Sequence, residues 1–156
     1  MFGGIMNIII EGPDGSGKTY LAQQLADLLN LQYKHFEAPR TDEEVLAQYD
    51  MYKKLLKTQT SIVLDRAWYS DMVYGPIFRD KRAITFEKMQ ALEMLTNGVV
   101  IYCIGDPSEM WAAAKARGEH YVQTFDQYMQ IIREYNYVMH DLPHRIPIHI
   151  RRANWL

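Results

Sequence analysis

The stretch that decides the fold is Gly12-Pro13-Asp14-Gly15-Ser16-Gly17-Lys18-Thr19. It fits the pattern G-x-x-x-x-G-K-[ST], in which glycines let backbone N–H groups curl around phosphate oxygens. The apolar run at residues 7–10 precedes it and a helical pattern begins near Lys18, so the stretch lies between a strand and a helix. The sequence therefore predicts a phosphate-binding loop, or P-loop, whose helix N-terminus also attracts anions.

The residues of this loop divide the work of binding a nucleoside triphosphate. The Lys18 ammonium reaches the β- and γ-phosphates, and the Thr19 hydroxyl is a ligand for Mg²⁺. ATP and Mg²⁺ are therefore the predicted cofactors. The predicted ATP-binding set is the whole loop: Gly12, Pro13, Asp14, Gly15, Ser16, Gly17, Lys18 and Thr19.

Length and composition indicate an ordinary globular protein. The 156 residues fit a single domain spanning 1–156, with 48% hydrophobic residues and a formal net charge of −2. This balanced charge disfavours a dedicated nucleic-acid binder. The chain has no apolar run of roughly 18 residues and no signal-peptide pattern, so we expect a cytoplasmic protein without a membrane partner. Cys103, inside an apolar run, is expected to be buried, and a natural start at Met6 stays open.

Short apolar runs alternate with longer helical patterns along the chain. The strand candidates lie at residues 7–10, 31–36, 61–64, 99–104 and 146–150. Leu21, Leu25, Leu28 and Leu29 are expected to line the buried face of the first helix. Fully apolar strands separated by helices are typical of a three-layer α/β fold, a parallel five-stranded sheet flanked by helices. Ligands of such sheets bind beyond the carboxyl ends of the strands.

The residues after the third strand narrow the class of P-loop protein. The chain lacks the Asn/Thr-Lys-x-Asp segment with which GTPase switches read guanine, and a motor ATPase would usually carry a second acidic residue after Asp65. Here Arg66 follows instead, and an arginine near the γ-phosphate suits transfer of a phosphoryl group between two substrates. Asp65, at a strand end beside the P-loop, is a candidate ligand for a Mg²⁺-bound water or for the acceptor, or else a helix N-cap.

These motifs resemble the thymidylate kinase and deoxynucleoside kinase branch of P-loop nucleotide kinases, in a minimal, phage-like form. The loop looks like the thymidylate kinase P-loop, whose acidic residue at the Asp14 position contacts the sugar 3′-hydroxyl. Asp65-Arg66 matches the family's Asp-Arg pair, in which the arginine holds the acceptor phosphate. Tyr69-Ser70-Asp71 is similar to the run that follows this pair in deoxynucleoside kinases. Glu37-Ala38-Pro39 falls where both branches place a Glu-Pro segment.

The resemblance implies a set of site residues and a lid at about 115–123, which contains Arg117. The implied catalytic residues are Lys18, Asp65, Arg66 and Arg117; the substrate-binding residues are Asp14, Glu37, Arg66 and Tyr69; the metal ligands are Thr19 and Asp65. Simpler interpretations stay open for several of them, and Arg66 could form an exposed salt bridge. Asp14 could be a turn residue, Glu37 a solvated loop residue, and Arg117 a charge that complements a helix C-terminus.

The function that these features favour is ATP-dependent phosphoryl transfer to a deoxynucleoside monophosphate, as in thymidylate kinases. The alternatives are a deoxynucleoside kinase, a kinase for a hydroxyl of a polynucleotide or modified DNA base, and an ATP-binding interaction module without turnover. The only feature that favours the polynucleotide alternative is the basic tail, which comprises His144, Arg145, His149, Arg151 and Arg152. The expected partner is a small-molecule nucleotide acceptor, while base specificity, a nucleic-acid partner and a homodimer stay open.

Overall fold

The computed structural model describes residues 4–119, 121–140, 142 and 145–149, the last five by their backbone. The strands of this part of the chain are β1 (Asn7–Glu11), β2 (Gln32–His35), β3 (Ile62–Asp65), β4 (Gly98–Ile104) and β5 (Arg145–His149). Its helices are α1 (Lys18–Leu29), α2 (Asp42–Lys57), α3 (Trp68–Phe78), α4 (Phe86–Leu95), α5 (Pro107–Ala116) and α6 (Phe125–Met139).

The five strands form one parallel sheet in the order β2-β3-β1-β4-β5. The P-loop strand β1 thus lies between β3 and β4, and the register pairs Ile10 with Asp65. The carboxyl ends of β1 and β3 therefore meet at one edge of the sheet, which brings the P-loop next to Asp65 and Arg66. The predicted three-layer α/β fold with a parallel sheet is confirmed.

Both faces of the sheet are covered, which explains why the central strands are apolar between their ends. Ile8 and Ile10 of β1 pack with Ala22 and Ala26 of α1 on one face. Ile9 belongs to the larger cluster on the other face, which includes buried residues of α2, α3, α4 and α6. Successive strand residues point to opposite faces, so a strand that is covered on both sides shows no polar alternation.

One expectation about a helix needs correction, and one helix was not predicted. In α1 the leucine face is wrong at its end, because Leu28 is 80% exposed while Ala22 and Ala26 are buried against the sheet. Small side chains let α1 lie close to β1 and β3. The hydrophobic pattern also did not predict α3. This helix is buried at every position from Trp68 to Gly75, so it has no exposed polar face that would show a helical period.

Some sequence-based expectations fall on residues that the structure does not describe. His144, Arg151 and Arg152 of the basic tail lie outside the described residues, as do the side chains of Arg145 and His149. Met1 and the residue at 120 within the lid segment also lie outside them. Among the helices that are described, none combines the length and apolar character that a bilayer crossing needs.

Candidate active site

The P-loop takes a path with positive φ at three glycines, and at two of them a Cβ would also collide with neighbouring backbone. Gly12 and Gly15 have φ angles of 153° and 86°, in the range that side chains disfavour. A Cβ on Gly12 would also lie 2.5 Å from the carbonyl oxygen of Cys103, and one on Gly15 would collide with the backbone of Met110. The loop therefore passes close beneath β4 and α5 before α1 begins at Lys18.

Two cations converge on one carboxylate oxygen at this loop. Lys18 Nζ lies 3.2 Å from Asp14 Oδ1, and Arg66 Nη2 lies 3.0 Å from the same atom. Both cationic side chains are buried, at 7% and 5% exposure. Lys18 comes from the P-loop and Arg66 from the end of β3, so the sheet register is what brings them together. An anionic oxygen between two buried cations is the arrangement that a phosphoryl group in transfer requires.

The surroundings push the pKa values of Asp14 and Glu119 in opposite directions. Burial alone would raise the pKa of Asp14, but the charges of Lys18 and Arg66 outweigh it and hold that pKa well below its usual range. Burial raises the pKa of Glu119, and the neighbouring Asp14 carboxyl raises it further. Asp14 therefore carries the negative charge, and Glu119 is the member of the pair that accepts a proton more readily.

Asp65 is held through one of its two oxygens. Its Oδ2 accepts hydrogen bonds from the Thr19 hydroxyl at 2.7 Å, the Tyr33 hydroxyl at 2.7 Å and His35 Nδ1 at 3.0 Å. Burial alone would raise the pKa of Asp65, but the hydrogen bonds from Tyr33 and Thr19 and the charge of Lys18 lower it. Asp65 does not cap a helix, because the N-cap of α3 is Ala67.

Arg66 is fixed by a buried network that starts at Glu11. Arg66 has a left-handed φ of 76° and donates from Nη1 to Ser70 Oγ at 3.0 Å. The Ser70 hydroxyl in turn donates to Glu11 Oε2 at 2.7 Å, and the Tyr135 hydroxyl donates to the same oxygen at 3.1 Å. Glu11 Oε1 accepts from the backbone N–H groups of Ala67 and Ser70. Glu11 thus supplies the N-terminal cap that α3 lacks from its own side chains.

A pocket of about 600 Å³ opens beside these residues. The P-loop and Arg66 form one wall, the segment from β2 to α2 a second, and the lid segment a third. Tyr121 of the lid segment stacks on Phe78 at 4.4 Å between ring centroids, and the Arg40 guanidinium lies 5.2 Å from the Tyr121 ring. The lining residues are Asp14, Gly15, Lys18, Thr19, His35, Glu37, Ala38, Arg40, Glu44, Arg66, Tyr74, Ala114, Arg117, Gly118, Glu119 and Tyr121.

Seven of the predicted site residues line this pocket, and six do not. Those that line it are Asp14, Gly15, Lys18, Thr19, Glu37, Arg66 and Arg117, while Gly12, Pro13, Ser16, Gly17, Asp65 and Tyr69 do not. Glu37 lines it with a side chain that is 90% exposed and 3.4 Å from His35. Arg117 lines it as the C-cap of α5. Tyr69, expected to bind substrate, is buried, and its hydroxyl donates to Glu93 at 2.7 Å. One residue along a helix turns a side chain by about 100°, so Ser70 faces Glu11 while Tyr69 faces α4.

Several residues of the site carried no recognisable signal in the sequence. Glu11 directly precedes the loop pattern, and Tyr33, His35, Arg40 and Tyr121 belong to no motif. Their partners lie far along the chain: 30 residues separate His35 from Asp65, and 124 separate Glu11 from Tyr135. The one usable hint was the strand period, since Tyr33 and His35 are two residues apart on β2 and so share a face.

The loop offers a place for a triphosphate and its metal ion. Two buried polar atoms here, Ser16 Oγ and Asp65 Oδ1, have no hydrogen-bond partner within the described part of the chain. Such atoms are rare unless a ligand or water satisfies them. Residues 4–119 and 121–140 contain no cluster of three or more His, Cys, Asp or Glu side chains that could hold a metal alone. The donors present fit Mg²⁺ bound by Thr19, with Asp65 nearby and phosphate oxygens completing the set.

The sheet order and the cationic loop together define a P-loop protein with the α/β fold of nucleotide kinases. The family model described as an AAA domain (dynein-related subfamily) matches residues 7–100, from the start of β1 into β4. The chain belongs to this family. The matched segment holds the P-loop, Asp65 and Arg66.

Solved structures with this fold include several kinases. The YorR protein of Bacillus subtilis, solved in complex with phosphorylated GDP, is 24% identical, with a TM-score of 0.76 over 96% of this chain and 88% of that one. Deoxyadenosine kinase from M. mycoides with bound dCTP is 16% identical, with a TM-score of 0.66 over 96% and 94%. Thymidylate kinase from Candida albicans is 16% identical, with a TM-score of 0.66 over 94% and 84%. The resemblance to the thymidylate and deoxynucleoside kinase branch is thus confirmed as a shared fold.

Proposed function

We propose that the protein is an ATP-dependent kinase that transfers the γ-phosphoryl group to a deoxynucleoside monophosphate, in the manner of thymidylate kinases. The observation that carries this proposal is the convergence of Lys18 and Arg66 on a single anionic oxygen, Asp14 Oδ1. One cation belongs to the ATP-binding loop and the other to the wall of the adjoining pocket. A phosphoryl group that moves from donor to acceptor needs positive charge on both sides of its path.

In this proposal each part of the site has a separate task. Lys18 and the P-loop backbone hold the triphosphate, and Thr19 and Asp65 hold Mg²⁺, which when bound neutralises phosphate charge. Arg66 binds the acceptor phosphate from a position that Ser70 and Glu11 fix in advance. Because its guanidinium is buried and already oriented, little side-chain entropy is lost on binding. Asp14 is our candidate for the sugar hydroxyl.

The acceptor side of the pocket favours a monophosphate over a nucleoside. A nucleoside hydroxyl must lose a proton, so a carboxylate base should lie within hydrogen-bond distance of that hydroxyl. The candidate base, Glu37, is exposed to solvent and lies beside His35. A monophosphate oxygen is already ionised at neutral pH and needs only positioning and charge, which the buried Arg66 can supply.

The family match by itself does not separate a kinase from a motor ATPase, since both use a P-loop. Arg66 favours the kinase, because it follows Asp65 where a motor would usually carry a second acidic residue. The solved kinases with this fold give independent support. We therefore regard the whole chain as one kinase domain with its lid at about 115–123, where Gly118 has a φ of 86° and Arg117 and Glu119 face the pocket.

The direct test is a coupled ADP-release assay across deoxynucleoside monophosphates, nucleosides and DNA oligonucleotides. We expect turnover with at least one monophosphate, thymidylate first, and none with thymidine. Arg66→Ala should then raise the acceptor KM sharply, while Glu37→Gln should cost comparatively little. Phosphorylation of thymidine but of no monophosphate would contradict the proposal, and so would a roughly 10²–10⁴-fold loss in Glu37→Gln, the size expected when a general base is removed.

A further inference from the structure

Two side chains of the edge strand β2 contact a single atom at the end of the neighbouring strand β3. The Tyr33 hydroxyl donates to Asp65 Oδ2 at 2.7 Å, and His35 Nδ1 lies 3.0 Å from the same oxygen. Residues two apart on a strand point to the same face, so both contacts follow from the pairing of His35 with Asp65 in the parallel register. An ionised carboxylate only accepts hydrogen bonds, so the proton of this contact resides on His35 Nδ1.

Packing gives no reason for these two side chains to be there. Tyr33 is 36% exposed and the His35 side chain 38% exposed, and all four residues of β2 are exposed. A tyrosine hydroxyl or an imidazole at an exposed edge could simply be solvated. Both instead bind the buried carboxylate that lies beside the P-loop.

Their effect is to distinguish the two oxygens of Asp65. Oδ2 accepts from Thr19, Tyr33 and His35, whereas Oδ1 is buried and has no partner among the described residues. Three donors on one oxygen fix the rotation of the carboxylate. The other oxygen, Oδ1, can then bind a hydrogen-bond donor or a cation of the bound ligand.

We propose that Tyr33 and His35 are positioning residues that orient Asp65 toward the divalent cation of the bound nucleotide. This rests on the proposed function only in requiring a metal–nucleotide complex at the P-loop. Groups that orient a metal-binding carboxylate are commonly worth about 10–100-fold in metal affinity. Neither residue touches the acceptor in this account, so the identity of the acceptor does not enter.

The test is the affinity for Mn²⁺ in the presence of ATP and the absence of any acceptor, measured by electron paramagnetic resonance. Tyr33→Phe and His35→Ala should each weaken Mn²⁺ binding by roughly tenfold, while the affinity for metal-free ATP stays at the wild-type value. Tyr137→Phe is the matched control, because Tyr137 is an exposed tyrosine of α6 outside the pocket lining. Its Mn²⁺ affinity should equal that of the wild type.

A double-variant cycle separates positioning from a general disturbance. In an Asp65→Ala background, Tyr33→Phe should cause no further loss of Mn²⁺ affinity, because the carboxylate that Tyr33 orients is gone. An equal loss in both backgrounds, unchanged binding by Tyr33→Phe, or a wild-type chain that holds no Mn²⁺ with ATP would overturn the proposal. Failure of the proposed function would appear elsewhere, as no turnover in the acceptor panel while the Mn²⁺ results stand.

Discussion

Glu11 and Asp65 end the neighbouring strands β1 and β3, and both carboxylates are fully buried. Their environments nevertheless differ. Both oxygens of Glu11 accept hydrogen bonds. The donors are the backbone N–H groups of Ala67 and Ser70 and the hydroxyls of Ser70 and Tyr135. Within the described part of the chain, Asp65 accepts through Oδ2 alone, and its partners include the P-loop threonine. Burial raises the pKa of Glu11, while hydrogen bonds and Lys18 lower that of Asp65.

The difference teaches that a strand-end position does not by itself assign a role. What decides is whether the carboxylate's hydrogen-bonding capacity is used up inside the protein. Glu11 is saturated, so its task is to hold α3 and the Ser70–Arg66 contact in place. Asp65 has one oxygen without a partner among the described residues, and it lies beside Lys18 and Thr19. We therefore propose that Asp65 serves ligand binding. Variants at and around the two carboxylates can test whether Glu11 is structural and Asp65 binds the ligand.

The largest effect is expected at Lys18, the P-loop cation whose charge also lowers the pKa of Asp65. Lys18→Ala should lower turnover by at least about 100-fold, because charge that develops on the phosphoryl group loses its main partner. Steady-state ADP release measures this, with Lys57→Ala at the exposed end of α2 as control. If Lys18→Ala kept more than about a tenth of wild-type turnover, the assignment of Lys18 would fail.

A smaller effect should separate two neighbouring hydroxyls of α3. Ser70→Ala removes the link between Glu11 and Arg66, so kcat/KM for the acceptor should fall about tenfold, the equivalent of one buried hydrogen bond to a charged group. Tyr69→Phe removes a buried hydroxyl that contacts Glu93 instead and should leave kcat/KM near the wild-type value. Urea unfolding should show losses of about 1 kcal/mol for both variants. Equal kinetic losses would contradict a positioning role for Ser70.

The lid should contribute less than the fixed parts of the site. Arg117→Ala is expected to lower kcat about three- to tenfold with little change in ATP affinity, because closure brings this cation to the phosphates only during turnover. Isothermal titration with ATP and steady-state kinetics provide the two numbers. A parallel loss in both would show that Arg117 binds only the ground state, and protease cleavage near Arg117 that ligands do not suppress would argue against closure.

The smallest effect, a pH dependence of stability, should have opposite signs at the two carboxylates. The folded-state pKa of Glu11 lies above its ordinary 4.5, so the stability associated with its proton is lost as pH rises from about 4.5. The folded-state pKa of Asp65 lies below 3.8, so its contribution is present above that pH and is lost as pH falls. Unfolding free energies should therefore show Glu11→Gln gaining on the wild type as pH rises above about 4.5, and Asp65→Asn losing on the wild type as pH rises toward about 4, so the series must extend below pH 4. The same trend in both would contradict the comparison.

The sequence predicted the parts of the fold that depend on local pattern. The P-loop and the strand at 99–104 need only neighbours along the chain to be recognised, and the structure contains both. Helix α3 could not be found this way, because a helix buried on every side has the composition of a strand. Leu28 was misplaced for a related reason: α1 packs through alanines, and hydrophobicity alone does not report how close a helix must lie.

The candidate site divides in the same manner. Lys18, Asp65 and Arg66 belong to motifs, and the structure brings them together. The residues that orient them, Glu11 and Tyr33, contact partners that the sheet supplies, and no pattern within either segment records which strand will lie beside it. Tyr69 shows the converse error, since a motif gives the order of residues but not the direction in which a helix will turn them.

The most direct test of the division between the two carboxylates is to measure Mg²⁺-dependent ATP affinity and the free energy of unfolding for Asp65→Asn and Glu11→Gln side by side. We predict a crossed result. Asp65→Asn should lose roughly 10–100-fold in metal-dependent ATP affinity, with a smaller loss of stability than Glu11→Gln, and Glu11→Gln should lose about 1–3 kcal/mol of stability while metal-dependent ATP affinity changes little. If the two variants lost affinity and stability in the same proportion, the two strand ends would share one role and the account would be contradicted.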